Sequence, residues 1–184
     1  MRIIAGSARS LPLKTIEGLD TRPTTDRIKE TLFNMLNPLI PGCVFLDLFA
    51  GSGQIGLEAV SRGAQKAVFV ENCKKAVSCI QENIDFTRFT EESIVMNLDA
   101  VSAIRRMEGK YVFDIVFMDP PYKKGKEEEV LKALATSSII NEDTTIIVEA
   151  SLDTDFSYLT ELGYHITKEK RYKTNMHVFI KHDM

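Results

Sequence analysis

Nearly unbroken apolar runs at 44–48, 67–71, 93–96, 114–118 and 145–149 recur along the chain, and none alternates with polar residues as a half-solvated strand would. Short runs of this kind fit strands covered on both faces, the situation of a parallel sheet. Between them, Val77, Ile80 and Ile84, then Ala100, Ile104 and Met107, then Val130, Leu131 and Leu134 fall at helical spacing, which predicts crossover helices. Strand, helix and strand in that repeated order specify a doubly wound, Rossmann-like α/β fold. Ahead of the sheet, Ile28, Leu32 and Leu36 predict an amphipathic helix, with Thr24 or Thr25 as N-cap and Asp26 in its first turn. After it, 155–162 reads as a short helix ended by Gly163, and two β-like runs at 164–172 and 175–181, turning near Lys173-Thr174, predict an antiparallel hairpin. The expected architecture is a mostly parallel seven-stranded sheet with a C-terminal antiparallel hairpin. No repeat or linker divides it, so 1–184 is expected to be a single domain, with 1–40 forming an N-terminal arm and helix.

Composition narrows the class. With 184 residues, 44% apolar and 27% charged, the chain has the make-up of a soluble globular domain. Its start lacks a signal-peptide pattern and no apolar run approaches the roughly 20 residues needed to span a bilayer, so a cytoplasmic protein is expected. Cys43, Cys73 and Cys79 make no CxxC pair and read as buried reduced thiols, and His165, His177 and His182 lack the companions of a metal set. No metal is expected. The net charge of −3 weighs against a nucleic-acid partner, yet positive charge gathers at Arg2, Arg9 and Lys14, at 123–126, and in a tail holding Lys168, Lys170, Arg171, Lys173 and Lys181.

Ligands of open α/β sheets bind beyond the carboxyl ends of the strands, and two loops there carry chemistry. The first, Gly51-Ser52-Gly53-Gln54-Ile55-Gly56, follows the first strand and matches GxGxxG. Its glycines permit a tight turn close to a ligand at a helix N-terminus. Glu71 ends the second strand, where a carboxylate can accept from a ribose diol. Together they indicate an adenosine-containing cofactor, NAD or S-adenosylmethionine. Asp47 favours the latter, because an acid ending the first strand can hold an α-amino group and would repel a pyrophosphate. Asp99, after the third strand, suits either an adenine amine or the N-cap of the next helix.

The second loop, Asp119-Pro120-Pro121-Tyr122, follows the fourth strand. An exocyclic base amine is a weak nucleophile whose lone pair is delocalised into its ring, and acceptors engaging both N–H groups favour the pyramidal form. Asp119 Oδ and the Pro120 carbonyl are suited to be that pair. The prolines stiffen the loop and remove amide donors, and Tyr122 offers a stacking face worth on the order of 1–3 kcal/mol.

With these motifs in hand, the sequence resembles the class I methyltransferases and, within them, the RsmD-type 16S rRNA guanine-N2 methyltransferases. The likeness rests on 2–6 with Arg9, on Arg22-Pro23-Thr24-Thr25-Asp26-Arg27 with 30–34, on 46–53 with 56–59, and on 119–122. It implies a bacterial cytoplasmic enzyme, monomeric, with S-adenosylmethionine as cofactor and ribosomal RNA as partner, free or in an assembled small subunit. It further implies cofactor contacts from Asp47, Phe49, Ala50, Gly51, Gly53, Glu71, Asp99 and Ala100, a catalytic base pocket of Asp119, Pro120, Pro121 and Tyr122, and substrate or cofactor contacts from Arg9, Arg22, Thr24 and Thr25. Ser10 departs from the pattern, standing where the family usually has glycine. Adenine N6 or a protein glutamine as methyl acceptor, an NAD-dependent oxidoreductase and a non-catalytic RNA-binding module are the alternatives.

Overall fold

The structure is a computed structural model that describes residues 1–16 and 25–183. Arg22 and Thr24 lie outside the described residues. Helix α1 (Asp26–Leu36) precedes the alternating series β1 (Val44–Leu48), α2 (Gln54–Ser61), β2 (Lys66–Val70), α3 (Lys74–Thr87), β3 (Ser93–Met96), α4 (Ala100–Met107), β4 (Ile115–Met118), α5 (Lys126–Ala135) and β5 (Thr145–Ser151), and the chain closes with β6 (Tyr164–Arg171) and β7 (Asn175–His182). These strands form one seven-stranded sheet in the order β3-β2-β1-β4-β5-β7-β6. The pairs among β1 to β5 are parallel, and β7 runs antiparallel to both β5 and β6. The fold is therefore the doubly wound one read from the sequence.

Each face of the sheet is buried by its own helices, which is why the central strands carry no polar alternation. Phe45, Phe69, Phe117 and Ile147 pack with Leu32, Phe33, Leu36 and Ile80 of α1 and α3 on one face. Leu46, Val68, Val116 and Val148 pack with Ile104, Met107, Val130 and Leu134 of α4 and α5 on the other. At about 25 cal/mol per Å² of apolar surface, burial on this scale is the main force holding the layers. Strand β3 departs from the sequence reading, because all of it is only half-buried: it is an edge strand paired on one side. On the opposite edge, Tyr164 alone of β6 is buried, and its hydroxyl donates to the Leu131 carbonyl at 2.8 Å.

Two smaller expectations are corrected. The helix read at 155–162 is a 3-10 segment over Ser157–Leu162, ended by Gly163 at φ 76°. Cys43 and Cys79 are buried, but Cys73 is only half-buried, since it is the N-cap position of α3, just beyond the sheet. Among the described residues no helix is long and apolar enough to cross a membrane.

Candidate active site

Register builds the site. Val70, Leu48, Met118 and Val148 are successive partners across β2, β1, β4 and β5, so the residues that follow them, Glu71, Phe49, Asp119 and Glu149, form a row along the carboxyl edge. The glycine turn and the 119–122 loop thus leave adjacent strands on the same edge.

In the glycine turn, the amides of Gly51, Gly53 and Gly56 have partners within the chain. Glu71 Oε2 accepts from Gly51 N at 2.9 Å and its Oε1 from Cys73 N at 2.9 Å, tying the turn to the start of α3. Asp47 Oδ2 accepts from Gly56 N at 3.0 Å, and Gly53 N donates to the Ala50 carbonyl at 2.8 Å. Gly53 has φ 83° as the N-cap of α2. Gly56 is needed for space, because a Cβ there would lie 2.3 Å from the Phe69 ring. Asp47 is 1% exposed, and burial pushes its carboxyl up to about 7, helped by the charge of Glu71 and opposed by the Gly56 amide.

Beside Glu71 a small open cleft of about 80 Å³ is lined by Phe49, Asp99, Ala100, Val101 and Lys126. Phe49 holds a left-handed φ of 65°, a strained state for a bulky residue that concentrates at functional sites. Asp99 is the N-cap of α4, its Oδ1 accepting from Ser102 N at 2.9 Å, and the Ser102 hydroxyl and amide hold its carboxyl below the usual range. The cap reading is thus realised, while the exposed carboxylate also faces the cleft.

In the second loop, Asp119 is half-buried, Pro120 buried and Pro121 exposed. Burial raises the Asp119 carboxyl well above the carboxylate range, and the negative charges of Glu149 and Asp47 push it further. Tyr122 is 42% exposed, and its hydroxyl donates to Glu149 Oε1 at a long 3.5 Å. Glu149 is 5% exposed and accepts from Asn175 Nδ2 at 2.8 Å. Its Oε2 lies 3.1 Å from Nε2 of the fully buried His177, whose Nδ1 is 3.0 Å from the Tyr172 hydroxyl.

The arm packs behind the glycine turn. Ser52 donates through Oγ to Met1 Sδ at 3.6 Å, and Asn83 Nδ2 donates to the Ser52 carbonyl at 2.9 Å. Arg9 and Thr25 are exposed, and Thr25 is the N-cap of α1, its Oγ1 accepting from Ile28 N at 3.3 Å. Ser10 adopts φ 70°, which explains why a glycine would suit its position.

Sequence reasoning missed two buried polar groups. One is Glu149 with His177 and Asn175. The other is Glu58, 0% exposed, paired with Lys29 at 3.5 Å and Arg62 at 2.8 Å. A carboxylate ending the otherwise apolar run 145–149 was the available signal for the first. For Glu58 and Lys29, helical spacing alone gave none.

A sheet of this order and hairpin, with a glycine turn after β1 and an acidic proline loop after β4, defines a Rossmann-like methyltransferase. The sequence profile described as conserved hypothetical protein 95 matches residues 1–181. The chain belongs to that family, the RsmD family of the resemblance drawn above. It is 36% identical over 173 residues to the ribosomal RNA small subunit methyltransferase D of Haemophilus influenzae, covering 92% of this chain and 88% of the relative. To the protein of the same name in Escherichia coli K12 it is 37% identical over 155 residues, 83% and 76% of the two chains. The solved structure of yhhF from Escherichia coli superposes with a TM-score of 0.84 at 32% identity, covering 100% and 98%.

Proposed function

We propose that the chain methylates an exocyclic amine of small-subunit ribosomal RNA, guanine N2, with S-adenosylmethionine as donor. The observation that carries this reading is the 119–122 loop beside a glycine turn in which the Gly51 and Gly56 amides are engaged by the chain's own carboxylates, Glu71 and Asp47. A pyrophosphate would find those donors taken and two acids facing it, which disfavours NAD. A cationic cofactor meets the reverse situation: the Asp47 carboxyl, raised by burial and by the charge of Glu71, is relieved by a nearby positive charge. Glu71 and Asp99 supply acceptors for a ribose and an adenine amine, and Phe49, Ala100 and Val101 supply apolar walls.

Bound there, the cofactor would supply a methyl group already activated on a sulfonium, so the protein's work is alignment and proton removal. Tyr122 stacks on the extruded base. Asp119 Oδ and the Pro120 carbonyl accept from the amine and aim its lone pair, and Asp119 takes the proton that the nitrogen releases as it is methylated. The lysines at 123, 124, 168, 170 and 173, with Arg171, are all exposed, and the Glu149–His177–Lys170 register sets Lys170 level with Glu149, two strands away across the sheet. They would meet phosphates. The arm and first helix, 1–40, would extend this RNA-facing surface with Arg9, Arg22, Thr24 and Thr25, in a single domain acting as a cytoplasmic monomer. Transfer of tritiated methyl to small subunits from cells lacking the protein tests the reading. Label is expected in one guanine of that rRNA; label confined to DNA or protein would overturn it.

Asp47 gives a pH test. A carboxyl that titrates at about 7 and binds a cation in its ionised form makes cofactor affinity rise about tenfold between roughly pH 6 and pH 8. Calorimetric titration should record that slope in the wild type and lose most of it in Asp47→Asn. An equal slope in both proteins would remove Asp47 from the cofactor's contacts.

A further inference from the structure

We infer that Glu149, clamped by Asn175 and His177 of the C-terminal hairpin, is a positioning residue that holds the Tyr122 ring over the base pocket. The inference deepens the proposed function and rests on its reading of Tyr122 as the base platform.

The reaction assigns Glu149 no step of its own beyond the charge that helps raise the Asp119 carboxyl, yet it is buried at the point where β5 reaches the site. A carboxylate there costs free energy unless it is well bonded, and the chain supplies the bonds from one strand. Glu149 and His177 are register partners across β5 and β7, and Asn175 pairs with Ser151 two positions on. Asn175 occupies Oε1 at 2.8 Å and His177 stands 3.1 Å from Oε2. Burial and the Glu149 charge push the Tyr172 hydroxyl up to about 12, so it keeps its proton. Donation from Tyr172 into His177 Nδ1, 3.0 Å away, leaves the Nε2–H as the donor to Glu149. The carboxylate is fixed at both oxygens.

What it presents to the site is Oε1, 3.5 Å from the Tyr122 hydroxyl. Tyr122 follows two prolines on an exposed loop, and Lys123 after it has φ 60°. The loop backbone directs the ring at its root, and the bond at the phenol end adds a second point that sets the plane on which a base stacks. Catalytic hydrogen bonds are often long before substrate arrives, and a stacked base would press the ring toward Glu149. This gives the hairpin a purpose that a plain cofactor-binding sheet lacks: it carries the two residues that hold the carboxylate.

The test compares E149Q, Y122F, the double variant and Y122A, using small subunits as substrate and tritiated S-adenosylmethionine as donor. E149Q and Y122F are each expected to lower kcat about tenfold or more, with calorimetric affinity for the cofactor unchanged, and the double variant to be no slower than Y122F alone. A second readout is independent of turnover. In protein labelled with fluorotyrosine at its five tyrosines, the fluorine resonance lost in Y122F should narrow in E149Q as the phenol end loses the Glu149 bond. Full kcat in E149Q and Y122F together with loss in Y122A would overturn the positioning role and leave the platform intact. Full kcat in Y122A would overturn the platform itself. A thermally weakened E149Q with normal kcat and an unchanged fluorine line would make Glu149 a packing residue only.

Discussion

Asp119→Ala is expected to lower the rate of methyl transfer by at least about a hundredfold, the lower end of what a positioned proton acceptor contributes. Two functions go together in that substitution. The carboxylate is one of the two acceptors that hold the amine, and it is the group that receives the amine's proton. Cofactor affinity should change little by comparison, because the glycine turn, Glu71 and the cleft beside Asp99 are built without Asp119. Asp119→Asn keeps one acceptor oxygen and loses the base, so it should fall between alanine and wild type. The carboxyl is raised by burial, by Glu149 and by Asp47, and transfer needs its ionised form. The rate should therefore fall with decreasing pH well above the usual carboxylate range, and this limb should vanish in Asp119→Asn. Single-turnover transfer across pH, with calorimetry of cofactor binding alongside, gives both quantities. An Asp119→Ala protein with wild-type rates would remove the mechanism.

How much of this was legible in the sequence depended on whether the determinant is local. The strands could be read because burial on both faces leaves an unbroken apolar run, and the turn because glycines and a following helix are neighbours in the chain. The 119–122 loop is likewise continuous. Edge character is not local: Ser93–Met96 has the composition of a covered strand, and only the sheet order makes it half-buried. Glu149 and His177 are 28 positions apart and meet through an antiparallel register that hydrophobicity does not encode. Asp99 shows a different limit. One carboxylate can cap a helix and line a cleft, so the sequence alternatives of cap and contact need not exclude each other.

The largest expected effect on stability lies away from the chemistry. Glu58 accepts from Ile4 N at 2.9 Å and Ala5 N at 3.1 Å, besides pairing with Lys29 and Arg62. Lys29, 0% exposed, donates in turn to the Arg2 carbonyl, so one carboxylate joins α1, α2 and the arm. Burial lowers the Lys29 ammonium, and Glu58 is the largest opposing influence. Glu58→Ala would leave that ammonium buried with no carboxylate and two arm amides without acceptors. Removing one member of a buried ion pair costs about 3–5 kcal/mol, and for a domain of this size 1 kcal/mol shifts Tm by about 2–4 °C. A fall of roughly 10 °C is expected in a thermal unfolding scan. Adding Lys29→Met to Glu58→Ala should recover part of the loss by deleting the stranded charge, though the arm amides stay unmet. Glu58→Ala should also speed proteolysis within the first residues, because the ties left to the arm are mainly neutral hydrogen bonds such as Ser7 N to the Ser61 carbonyl at 2.8 Å, worth about 1 kcal/mol each, and exposed ion pairs such as Arg2–Asp26, worth about 0–1 kcal/mol. A Tm within about a degree of wild type would mean that apolar packing of Ile3, Ala8 and Leu13, and not the buried carboxylate, fastens the arm to the sheet.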